Sequence, residues 1–287
     1  QKELIHLLFS FTFFCLLTTN TYAANTGKYA SNLKFIPIPS SILPTNDVRI
    51  LYQDSDGYIW LPTYNGLVRY DGYSVVNYGV NDGTNLSFNC YLNVVVEDHD
   101  KNLWIAAEKG VFKLHKLTGD IERIGNDKLE SLNAADIFCT KNGDIWVGGD
   151  RGLFRKKKGE DIFERIDLPS QRLASVSSII EDDRGDIWVA ACEKGLFRYD
   201  VEQKKFYAYI DQVLYLSNVV YQDDKQQIWV GTWDRGLLRL ATPYATGRMQ
   251  YDRFHRVEGE ENSLFDNIVY DIGQDESHRI WVSTRSG

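Results

Sequence analysis

Asp182-Asp183-Arg184-Gly185-Asp186-Ile187-Trp188-Val189, followed by Gly195-Leu196-Phe197-Arg198-Tyr199, is one statement of a phrase that runs through the whole sequence. It returns as Asp54 to Trp60 with Gly66-Leu67, Asp98 to Trp104 with Gly110-Val111, Thr140 to Trp146 with Gly152-Leu153, Asp223 to Trp229 with Gly236-Leu237, and Asp275 to Trp281 with Gly287. Successive tryptophans lie 44, 42, 42, 41 and 52 residues apart. A period of that size is the signature of a repeat architecture.

Each copy reads as four short strands. In the copy around Trp188, Val176 to Glu181 is an apolar strand, and Asp182 to Asp186 is a turn in which Gly185 takes φ > 0 and Asp side chains bond nearby N–H groups. Ile187 to Ala191, Leu196 to Asp200 and Phe206 to Ile210 complete the unit. A sheet this small cannot bury both faces alone, so the copies must stack. Two residues beyond each Trp stands a compact residue, Pro62, Ala106, Gly148, Ala190, Gly231 and Ser283, which lets neighbouring sheets interlock beside a large ring. The fold expected is all-β: a β-propeller of four-stranded antiparallel blades.

The expected blades span about Val48 to Tyr78, Leu92 to Ile124, Ala134 to Ile166, Val176 to Ile210, Asn218 to Val257, and a remnant from Val269 to Thr284. The chain starts with Gln1 and stops at Gly287, between the second and third strands of the last copy. It is therefore read as a piece of something longer, about five and a half blades of seven, although six or eight blades would leave the same remnant. Leu33 to Ile38 resembles a closing strand with no copy before it and is assigned to the last blade. The step of 52 places extra residues in Ala241 to Arg253.

The domain organisation follows. Leu4 to Leu17 is nearly all apolar after Lys2, and Thr21-Tyr22-Ala23 fits a small-x-small cleavage site, so residues 1–23 read as a secretory signal peptide. The apolar run is shorter than the roughly 20 residues of a spanning helix. Residues 24–32 form a polar leader and 33–287 the partial propeller. Any membrane segment of the parent would lie beyond Gly287.

With 32 basic and 40 acidic residues the formal charge is −8, so the electrostatic footprint of nucleic-acid binding is missing. Lys156-Lys157-Lys158 is read as a solvated hairpin tip. Cys15 leaves with the signal, and Cys90, Cys139 and Cys192 fall at unrelated places in their repeats, which favours buried free thiols over a disulfide framework. The five histidines lack metal spacing. Asp54-Ser55-Asp56-Gly57 fails as a calcium loop because Tyr58 takes the third ligand position and the distal Glu is missing. No catalytic residue, metal ligand or cofactor is assigned.

Arg69, Lys113, Arg155, Arg198 and Arg239 recur after the repeat glycine and are read as scaffold, each pairing with a nearby acid. Residues that break the repeat carry more functional information. They sit between the second and third strands: Tyr64-Asn65, Asp150-Arg151, Cys192-Glu193-Lys194, Trp233-Asp234-Arg235 and their counterparts, on the face shared with the blade-to-blade connections. Trp233 is the tryptophan outside the repeated slot. It either stacks on a sugar ring while Asp234 and Arg235 bond hydroxyls or a carboxylate, or it covers a neighbouring blade. Trp233, Asp234, Arg235, Tyr64, Arg151 and Lys194 form the candidate ligand-binding set.

Ile179 to Tyr199, Val219 to Leu240 and Ile50 to Tyr70, with Asp71-Gly72, resemble the two-component regulator propeller repeat. Asn262-Ser263-Leu264-Phe265-Asp266-Asn267-Ile268-Val269 is similar to its usual connection. Thr140 for Asp, Gln226-Gln227 for Gly and Pro62 for Gly or Ala depart from the pattern. The turn around Gly185 also resembles the Asp-box of sialidase-type propellers, a structural hairpin rather than a catalytic site. The first resemblance implies a periplasmic sensor region of a hybrid histidine kinase anchored in the inner membrane, working as a homodimer. It further implies an oligosaccharide ligand and control of polysaccharide-use genes. This chain itself would then carry no phosphotransfer activity. The alternatives are a secreted carbohydrate-active hydrolase or lyase and a non-catalytic protein-interaction propeller.

Overall fold

The computed structural model describes residues 43, 45, 47–64, 66–79, 88, 90–125, 129, 131–170 and 173–287. The signal-peptide, leader and closing-strand readings at 1–38 lie outside the described residues. Within them, five four-stranded sheets and one two-stranded sheet follow one another, each antiparallel with its strands paired in chain order. The inner strands are Tyr52–Gln53, Leu92–Glu97, Ala134–Cys139, Ser175–Glu181, Ser217–Gln222 and Val269–Gln274. The strands that carry the repeat tryptophans are Ile59–Thr63, Leu103–Ala107, Ile145–Gly149, Ile187–Cys192, Ile228–Thr232 and Ile280–Thr284. Successive inner strands lie beside one another around a common axis. The architecture is a β-propeller whose sixth blade is two-stranded.

The repeat phrase builds each blade through its first aspartate. Asp182 Oδ1 accepts from the N–H of Arg184 and Asp186 at 2.9 and 3.0 Å, which fixes the hairpin, while Oδ2 accepts from the Trp188 indole at 2.8 Å. Asp54, Asp98, Asp223 and Asp275 hold Trp60, Trp104, Trp229 and Trp281 at the same 2.8 Å. Thr140 has only a hydroxyl, which bonds the Asp144 N–H and the Asn142 side chain. The hairpin survives there: Gly143 N–H still donates to Thr140 O at 2.8 Å. In the fifth hairpin Gln226 adopts φ 62° in the slot where Gly185 has φ 85°.

The indoles of blades 1 to 5 are each buried against the blade that follows. Trp60 packs with Val95, Leu103 and Ile105, Trp104 with Ile137 and Val147, and Trp188 with Val220 and Val230. The compact residue two places on lets neighbouring sheets interlock, as expected. A Cβ on Gly148 or Gly231 would collide with Val176 or Val269, so the small residue admits the inner strand of the next blade. In blades 2, 4, 5 and 6 the Glu or Gln before the turn also bridges blades. Glu97, Glu181, Gln222 and Gln274 accept from the N–H of Ser55, Lys141, Asp183 and Asp224 of the preceding blade at 2.6–2.9 Å.

The basic ladder pairs with acids in part. Arg155 meets Asp144 at 2.6 Å, Arg198 meets Asp186 at 2.5 Å and Arg239 meets Asp252 at 2.6 Å. Lys113, Arg155 and Arg239 also lie over Trp104, Trp146 and Trp229, their cross-strand partners, at 5.2–5.9 Å. Arg69 instead stands over Tyr58. The three described cysteines are free, with Cys90 buried and Cys139 and Cys192 half-buried.

Candidate functional site

One local device shapes the axis. The inner strand of blades 2 to 6 carries a one-residue bulge opposite the strand that bears the Trp, skipping Asn93, Ala135, Ser177, Asn218 and Tyr270. A bulge sets two residues against one and re-aims side chains. Here it turns two consecutive residues per blade toward the axis. The first tier is Arg49, Asn93, Ala135, Ser177, Asn218 and Tyr270, and the second is Ile50, Val94, Asp136, Ser178, Val219 and Asp271. Together with Ser283 they line a cavity of about 260 Å³.

The first tier also ties the blades together. Asn93 Nδ2 donates to Ala134 O at 2.7 Å, Ser177 Oγ to Asn218 O at 2.6 Å, and Asn218 Nδ2 to Val269 O at 2.9 Å. In the second tier, Asp136 Oδ2 accepts from Ile179 N–H at 2.6 Å and Ser178 Oγ accepts from Val220 N–H at 3.2 Å. Burial beside the axis pushes the Asp136 carboxyl up to about 7, and the charge of Asp271 adds to the effect. Burial likewise raises Asp271 to about 6. Each is only partly relieved by backbone N–H donors.

The loops between the second and third strands share a face with the blade connections, as expected. Asp150, Trp233 and Arg285 donate backbone N–H groups to Asn133, Leu216 and Ile268 of those connections. Trp233 is 37% exposed and stands edge-on to Tyr270, ring centres 5.9 Å apart, which places it at the rim of the cavity. Burial raises the Cys192 thiol, an effect that the nearby Trp233 indole opposes. Trp233 thus covers Tyr270 of blade 6 and keeps part of its ring in solvent. Tyr64 lies 4.6 Å from Tyr91, over whose ring the Arg49 guanidinium sits at 4.5 Å. Asp234 and Arg235 pair with each other at 2.9 Å in the open. Arg151 is exposed on its turn. None of the six candidate residues lines the axial cavity; Trp233 touches a residue that does.

The axial residues escaped the sequence reading because the bulge hides their direction. A signal was available: Asp136 and Asp271 stand ten residues before Trp146 and Trp281, in strands otherwise apolar at that slot or carrying Ser178.

On the opposite face, Asp54, Asp56 and Glu97 converge on the Lys116 ammonium at 2.8, 2.7 and 2.5 Å. The three carboxylates thus hold a side-chain cation, and Lys101 first, with Lys116, keeps Asp56 down at about 2.

The model of the two component regulator propeller family matches residues 42–65, the stretch that carries the first Asp–Trp clip. Among solved structures, the extracellular domain of BT4673 from B. thetaiotaomicron, assigned to a hybrid two component system, matches at TM-score 0.62 and 23% identity, over 84% of this chain and 37% of its own. The extracellular domain of BT3049 from the same organism, assigned likewise, matches at TM-score 0.60 and 19% identity, over 83% and 38%. Virginiamycin B lyase from Staphylococcus aureus matches at TM-score 0.65 and 13% identity, over 85% and 80%. No curated protein matches the sequence. The chain spans less than two fifths of the two B. thetaiotaomicron domains. At these identities the likeness is one of fold, and that fold is shared by extracellular domains of two-component systems and by an enzyme. No helix among the described residues is long and apolar enough to cross a membrane.

Proposed function

We propose that this chain is part of the periplasmic sensor propeller of a membrane-anchored hybrid histidine kinase that detects an oligosaccharide and controls polysaccharide-use genes. The observation that supports it most is the regulator-propeller repeat at 42–65, on a fold shared with extracellular domains of hybrid two component systems. The ligand binds the loop-bearing face, with Trp233 stacking on a sugar ring and Asp234, Arg235, Tyr64, Arg151 and Lys194 bonding its substituents. Binding shifts signalling only through different affinity for two arrangements of a sensor dimer. Calorimetry of the intact protein against a glycan panel, with small-angle scattering for dimer geometry, is the test. Heat of binding together with a ligand-dependent change in scattering is expected; silence in both would end this reading.

A second reading, a lyase or hydrolase, draws on the fold shared with virginiamycin B lyase and on the two carboxyls at the axis. Release of unsaturated products or new reducing ends from a polysaccharide would favour it over a sensor.

A further inference from the structure

The axial cavity has a size and a polarity that the loop face lacks. Its 260 Å³ falls just under the roughly 300–1,000 Å³ of pockets that enclose drug-sized ligands. It admits one ring and no chain. Its hydrogen-bonding capacity is one-sided. Asn93 and Asn218 each bond a backbone carbonyl of the next blade, so the bonded atom must be the amide nitrogen. Their side-chain carbonyl oxygens are left to the cavity. The Ser177 hydroxyl donates to Asn218 O, and Asp136 and Asp271 are acceptors when ionised. The cation of the lining, Arg49, has its guanidinium over Tyr91. A molecule that enters must mainly donate hydrogen bonds, and a carboxylate would meet two acids. At the rim, Trp233 and Tyr270 form a right-angled aromatic corner, 86° between planes, that touches the cavity through Tyr270.

We infer that the axial cavity is a subsite for one terminal sugar unit, neutral or amine-bearing, whose neighbouring unit stacks on the Trp233–Tyr270 corner. This assignment rests on the saccharide-sensor reading above and adds where the chain end goes and what charge it carries. Sugar hydroxyls or an ammonium would donate to Asn93, Asn218, Asp136 and Asp271, and the flat face of the next ring would use the aromatic surface. Above about pH 7, where both axial carboxyls are ionised, a uronic acid is repelled by like charge.

Ala135 offers a clean test because it occupies a bulge slot with a single methyl group and takes no part in the bonds between blades made by Asn93, Ser177 and Asn218. Ala135→Phe fills the cavity from inside. Isothermal titration of the intact protein uses oligomers of glucose, glucosamine and glucuronic acid as probes. The glucose or glucosamine series is expected to bind and the glucuronic series to fail. Ala135→Phe should weaken binding by more than about tenfold, and Trp233→Ala should weaken it less. If Ala135→Phe is folded by near-ultraviolet dichroism and binds like the wild type, the axial subsite is wrong while the sensor reading stands. If Ala135→Phe does not fold, Asp271→Leu, also on the axis, is judged by the same criterion. Tighter binding of the glucuronic series overturns the charge assignment. If no probe binds the wild type, the subsite and the saccharide-sensor reading fall together.

Discussion

Asp182 serves four partners with two oxygens: two turn N–H groups, the Trp188 indole and the Tyr244 hydroxyl, the last at 3.1 Å. Removing it strands buried donors, each costing about 1–3 kcal/mol. Asp182→Ala should therefore destabilise the protein by about 3 kcal/mol or more, read as a shift in urea midpoint, whereas Thr140→Ala should cost about 1 kcal/mol. Similar losses in the two variants would show that the indole bond contributes nothing. The turn-forming role of these aspartates was legible from Asp-x-x-Gly. The bond to the Trp was not, because a spacing of six residues across a hairpin names no partner until the backbone has closed.

At the scale of the element, the extra residues of blade 5 form a strap that returns to blade 4. Tyr244 lies edge-on to Trp188, Arg184 sits over its ring at 3.5 Å, and Met249 is buried in the same core. Tyr209 Oη donates to Ala245 O at 2.9 Å and anchors the turn. In blade 2 the corresponding turn sends Lys116 to Asp54, so one position supplies a donor to the preceding blade with either an ammonium or a phenol. Tyr244→Ala should cost about 3 kcal/mol through lost packing and an exposed indole edge, and Tyr244→Phe about 1 kcal/mol. Thermal melts of both variants check the split; equal effects would assign the whole contribution to the hydroxyl. The step of 52 residues disclosed the insertion. Its destination was unreadable, since no other copy repeats it.

Across the whole molecule, Asp136 in blade 3 and Asp271 in blade 6 line one cavity, and both carboxyls are raised well above the ordinary 3.8. Between about pH 4 and 7 the unfolded chain ionises at these positions while the folded chain holds its protons, so stability falls as pH rises through that window. Asp136→Asn removes the larger part of this slope. Its melting temperature relative to wild type should rise between pH 5 and pH 8 by an amount equivalent to about 1–2 kcal/mol, reduced from the full shift because water enters the channel. A pH-independent difference would place the titration elsewhere. The propeller, its blade limits and its loop-bearing face were all readable from the period. The axis was not, because alternation along a strand is what the eye follows and a bulge breaks it in the one stretch that matters. The burial of the indoles of blades 1 to 5 under strands that come later in the chain sets an order of assembly. A blade emerging during synthesis has its hairpin complete but its core uncovered until the next copy, 42 residues on in the regular case, arrives as its lid. Closure then runs from the amino end toward the carboxyl end, and every newcomer depends on a successor for the shelter it has just given.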